Sequence, residues 1–74
     1  MKAETLGEIL NFMYFNAKDK EKVVMIHLFG IKFAKEISAC ESSTTEIAKL
    51  VGIESSYGTE ISKGRNLAKY VLVK

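Results

Sequence analysis

His27 and Cys40 are the one histidine and the one cysteine of the 74-residue chain. With the nine carboxylates they are the groups from which acid–base, nucleophilic or metal chemistry would have to be built. A metal site needs three or four clustered ligands. His27 has no second histidine, cysteine or carboxylate at ligand spacing on its own helical face, and Asp19 and Glu41 are too remote along the chain to help. It reads as a packed or partly exposed structural histidine. Cys40 would need a neighbouring base or cation to hold it as the thiolate. None is placed there, so it reads as a small hydrophobe. No carboxylate pair sits in an apolar setting. Gly52 and Gly58 lie six residues apart, but no Gly-Lys-Ser/Thr follows them, and no dinucleotide-binding or zinc signature is present. The expectation is a protein with no catalytic residues, no metal and no cofactor, and not an enzyme.

What remains is a chain of one domain, residues 1–74. A domain this small buries only about 60% of its unfolded surface, yet 47% of its residues are hydrophobic. Either the core is tight or apolar surface is left for a partner. Formal net charge is +2. Up to Ser43, six lysines and six acids cancel. From Thr44 onward, Lys49, Lys63, Arg65, Lys69 and Lys74 face only Glu46, Glu54 and Glu60. The whole excess therefore lies in the second part of the chain. One thiol rules out an internal disulfide and fits a reducing cytoplasm. Glu4 and Glu8 interrupt any apolar signal segment. The apolar stretch Val23–Ala34 is broken by His27 and Lys32 and falls short of the roughly 20 residues of a membrane span. A cytoplasmic location without membrane contact is expected.

Apolar periodicity divides the chain into helices. Leu6, Ile9, Leu10, Met13 and Tyr14 form a helical stripe, with Thr5 and Glu8 as a capping box, which predicts a helix over Leu6–Asn16. Asp19 can cap a second helix, Lys20–Ser38, which is apolar almost all the way round. It should be the central helix, or offer a face to a second subunit. Gly30 in its middle suggests a close helix crossing. Ala39–Ser42 reads as a hinge. Ser43 and Glu46 form a second capping box for a short helix, Thr44–Val51, which Gly52 ends. Another helix runs from Ser55 or Ser56, either of which can cap, to Lys63, closed by Gly64. Residues 65–74 stay open: Leu67, Tyr70 and Val71 suit a helix, Tyr70–Val73 a strand, with a short extended tail preferred. The fold class is all-α: four helices, the last two a helix-turn-helix, with a short extended or β tail as an option.

The last two helices carry a pattern. Ala48 is a small residue where two helices would cross. Gly52 follows four residues later in the turn, and Ile47, Val51, Ile53 and Ile61 occupy inward positions. In this arrangement Thr44–Lys63 resembles the helix-turn-helix DNA-binding superfamily, in which a short helix and a tight turn hold a second helix rigidly for the major groove. The departure is Gly58, where that family usually has an Ile, Val or Leu; Tyr57 next door is the candidate to supply the anchor. The segment Leu28–Ala34 and the ending Gly58–Val71 also resemble a family of small prokaryotic helix-turn-helix-like proteins, most of them uncharacterised.

The resemblance implies double-stranded DNA as partner. It would place Glu54, Ser55, Ser56, Thr59, Glu60 and Lys63 toward the groove. Ser55, Ser56 and Thr59 would touch base edges or phosphates, and Lys63 a guanine or a phosphate. Lys49, Arg65 and Lys69 would be backbone contacts, and helix N-termini would donate amides to phosphate. Glu54 and Glu60 weigh against this reading. It implies a small transcriptional regulator acting as a dimer. The alternative is a protein-interaction module that keeps the fold without using a groove, with helix two offering its apolar surface.

Overall fold

The computed structural model describes residues 2–71. It contains five α-helices: α1 (Ala3–Phe15), α2 (Lys22–Lys32), α3 (Ala34–Ala39), α4 (Thr44–Val51) and α5 (Tyr57–Leu67). A single 3-10 turn, Asp19–Glu21, precedes α2. Among the described residues there is no strand, so the chain is all-α as expected.

The apolar stripe of α1 buries Leu6 and Leu10 completely. The helix begins earlier than its sequence signal. Ala3 is buried as well, the N-cap is Lys2, and no side chain caps it. Packing Ala3 adds a turn at the start, which puts Thr5 inside the helix, so the Thr5–Glu8 capping box does not form. Asp19 does not cap the next helix either. It lies in the 3-10 turn, closed by the Glu21 N–H on the Lys18 carbonyl at 2.8 Å, and α2 starts at Lys22.

The single helix expected over Lys20–Ser38 bends at Phe33, where φ is −111° and ψ is 25°. The Phe33 N–H still bonds the Phe29 carbonyl at 3.0 Å, and the Ile37 N–H bonds the Phe33 carbonyl at 2.8 Å. The ladder is therefore redirected rather than lost. The cause is tertiary. Gly30 holds α2 flat against α5, and the chain must turn beyond it for Ile37 to reach the core. There Ile37 joins Ile26 and Phe29 of α2, Leu6 and Leu10 of α1, Ile47, Ala48 and Val51 of α4, and Ile61 of α5. Helix α2 is central, the first of the two outcomes its all-round apolar character allows, though Val23 and Val24 at its start stay exposed.

The crossing expected at Gly30 is with α5. A Cβ at Gly30 would lie 2.5 Å from the Ile61 carbonyl oxygen and 2.9 Å from the Gly64 Cα. A Cβ at Gly64 would overlap the His27 carbonyl oxygen and lie 3.1 Å from the Gly30 Cα. Gly64 is thus a mid-helix contact residue and does not close the helix. Helix α5 runs on to Leu67, and Ala68–Tyr70 form a turn. Helix replaces the extended tail over residues 65–67; Leu72, Val73 and Lys74 lie outside the described residues.

The α4 boundaries fall where the local signals put them. Ser43 Oγ accepts the Glu46 N–H at 3.1 Å, and a Glu46 carboxylate oxygen accepts the Ser43 N–H at 3.0 Å. At the other end Gly52 has φ 85°. Its N–H bonds the Lys49 carbonyl, while the Ile53 N–H bonds the Ala48 carbonyl, the paired bonding of a left-handed helix stop. No atom lies within 4 Å of a Cβ built on Gly52, so a substitution here strains only the backbone, by about 1–2 kcal/mol. Gly52→Val should sit at or beyond the upper end, because a β-branched residue resists positive φ. Gly52→Asn should cost much less. Urea melts ranking glycine above asparagine above valine would bear this out; equal midpoints for all three would refute it.

Candidate nucleic-acid interface

The unit from Thr44 to Leu67 is built around two close approaches. Ala48 is fully buried at the α4 crossing, flanked by buried Ile47, Val51 and Ile61 and by half-buried Ile53. Gly58 is buried at the start of α5, where a Cβ would lie 2.7 Å from the Thr45 Cα. The missing aliphatic residue at that position therefore lets the first turn of α4 rest directly on α5. Tyr57 takes the anchoring role, packed against the core with its ring 5.9 Å from that of Tyr14. A Thr44–Ser62 hydroxyl pair at 2.9 Å ties the same two helices together.

Neither Ser55 nor Ser56 caps α5 through its side chain. The chain enters through a tight turn in which the Tyr57, Gly58 and Thr59 amides bond the carbonyls of Glu54, Ser55 and Ser56. Ser56 stands at the N-cap in a helical conformation, so its hydroxyl cannot reach the first-turn amides. It donates to Glu54 at 3.4 Å instead. Those amides are satisfied, so this helix start does not aim them at an anion. Both serines are exposed.

With 3.6 residues per turn, Thr59, Lys63 and Asn66 fall on one side of α5, and all three are exposed. Glu60 does not join them. Its carboxylate accepts a hydrogen bond from His27 Nε2 at 2.9 Å, and its other oxygen pairs with Lys63 Nζ at 3.2 Å. The glutamate is turned toward α2, with 22% of its side chain exposed against 61% for Lys63. Its expected place in the groove-facing set is corrected accordingly. The partner of His27 is thus a carboxylate on another helix, which no reading of its own face could find.

Arg65 lies on a different side of α5, and Lys69 lies in the Ala68–Tyr70 turn that follows the helix. With Asn66 they line a groove whose other wall is Lys35 and Ser38 of α3. Lys49 is placed elsewhere, in a groove with Ala3, Glu4, Ser42 and Glu46 near the start of α1. The seven expected contact residues thus divide into an entry turn (Ser55, Ser56), an outer face (Thr59, Lys63), a flanking ridge (Arg65, Lys69) and a separate lysine. Lys35 was not among the sequence candidates, because its nearness to α5 arises only from the bend at Phe33.

A family model described as an HTH-like domain matches residues 2–74. The chain belongs to the HTH-like domain family. The match takes in α1, α2 and α3 as well as the α4–α5 unit, so the helices that complete the core are part of the HTH-like domain. No curated protein and no solved structure matches the chain.

In this HTH-like domain the His27 hydrogen bond, and next the Lys63 contact, hold the Glu60 carboxyl below its ordinary value of 4.5. The two bonds from Ser43 hold Glu46 below it in the same way. A depressed folded-state value means a stabilising contribution that is complete above about pH 4.5 and is lost as pH falls through the lower folded value. The melting temperature should therefore drop on acidification below that point, and Glu60→Gln should flatten part of the drop. A variant whose acid profile coincides with that of the parent would show that Glu60 does not contribute.

Proposed function

We propose that this HTH-like domain binds double-stranded DNA as a small transcriptional regulator, with α5 as the helix that enters the major groove. The observation that carries this reading is the division of α5. Its outer side offers Thr59, Lys63 and Asn66, while its one carboxylate is held against α2. Hydroxyls and lysine can meet base edges or phosphates, and an asparagine amide can pair with adenine. Arg65 and Lys69 flank that face as cations for the backbone. A single module buries little surface, so useful affinity calls for a dimer on two half-sites. No catalytic role belongs to this reading.

Fluorescence anisotropy of a random-sequence duplex, titrated with the full chain at several salt concentrations, tests it. The logarithm of the binding constant should fall linearly with the logarithm of salt as counterions are released. Absence of binding at low salt would remove the proposal.

A second reading, a protein-interaction module, draws on exposed Phe12 and Phe15 of α1 and Val23 and Val24 of α2. It predicts capture of a protein partner that nuclease treatment does not abolish.

A further inference from the structure

We propose that the groove between α3 and α5 seats a phosphate of the DNA backbone, with Lys35 as a third cation beside Arg65 and Lys69. This rests on the DNA reading above and adds α3 to the contact surface. Three basic side chains, from α3, α5 and the turn that follows α5, line the groove together with Ser38, and none of its lining residues is acidic. Among the described residues, ion pairs form only at Glu60, with His27 and Lys63. Lys35, Arg65 and Lys69 therefore keep their charge for an external anion.

The position of the groove fits a strand that passes beside α5. The Thr44–Ser62 hydroxyl pair marks where the N-terminus of α4 rests on α5. Arg65 follows Ser62 by three residues, a spacing that keeps side chains on one side of a helix, and Lys69, in the turn that follows α5, lines the same groove as Arg65. The start of α4 and the cationic groove thus line up along the same flank. A backbone running along that flank would leave the outer side of α5 to the base edges. Phosphate contacts of this kind set the register of a protein on the duplex without reading sequence.

The test compares Lys35→Gln with Lys18→Gln, which removes the same charge from the connection after α1. Binding of a random-sequence duplex is followed across a salt series with the full chain. Circular dichroism and melting confirm that each variant folds, which exposed Lys35 should permit. Lys35→Gln is expected to weaken binding several-fold, equally for duplexes of different sequence, and to reduce the salt slope by about 1. Lys18→Gln should leave the slope unchanged. If the parent protein binds and the two variants behave alike, the phosphate seat is refuted while the DNA reading stands. If the parent does not bind at low salt, both fall.

Discussion

Gly64→Ala should destabilise the domain by about 2–3 kcal/mol, the upper part of the range for an overpacked core. The direction runs against the usual helix trend, in which alanine is better than glycine by about 0.5–1 kcal/mol. What opposes the added methyl is backbone: the His27 carbonyl and the Gly30 Cα. Backbone atoms inside a hydrogen-bonded helix cannot rotate aside as a side chain can, so α2 and α5 must separate. Separation loosens Ile26, Phe29 and Ile61, which are fully buried between them and their neighbours. Gly30→Ala should act in the same way, since its methyl would meet the Ile61 carbonyl and the Arg65 amide nitrogen. The double variant should lose less than the sum of the two, because one separation relieves both clashes. Urea denaturation of the four proteins gives the answer. A Gly64→Ala protein as stable as its parent would mean that the crossing is not this tight.

Phe29→Ala should have the larger effect, about 3–5 kcal/mol. Phe29 is the largest fully buried side chain, and its ring lies 5.5 Å from that of Phe33 at the bend between α2 and α3. Truncation removes the transfer energy of the ring and leaves a hole where α2, α3 and the rest of the core meet. At roughly 0.05–0.15 kcal/mol per residue, a domain of this size has about 4–11 kcal/mol in total, so this one change takes much of it. Phe12→Ala provides the contrast. Phe12 is 70% exposed, and a surface change of that sort should stay within about 0.5 kcal/mol. Thermal melts in which the two phenylalanine variants fall together would refute the assignment of the core.

Both ends of α4 could be read in the sequence because both are local events. A serine three residues before a glutamate closes one end, and a glycine four residues after a buried alanine closes the other. Neither requires a distant partner. The misreadings occurred where one residue type serves two purposes. Gly64 was expected to stop a helix, yet it sits in the middle of α5 because α2 passes over it. Thr5 has the spacing of a cap, but the burial of Ala3 carries the helix past it. The bend at Phe33 has no glycine or proline to announce it; the competition between the Gly30 contact and the burial of Ile37 produces it. The outer face of α5 was half legible. Thr59 and Lys63 point outward as the pattern implied, whereas Glu60 is withdrawn by His27, a histidine 33 positions away in sequence. Lys35 could not be found at all, since only the bend brings it beside Arg65.

The contact of Gly30 with Gly64 also determines how α5 can move. Two helices that meet without side chains between them behave like a notch and its tooth. Sliding by one residue would bring Lys63 or Arg65 into the notch, and neither would fit. The azimuth of α5 is thereby locked to the rest of the molecule, so its outward residues arrive at a partner already aimed and little motion remains to be frozen when they dock.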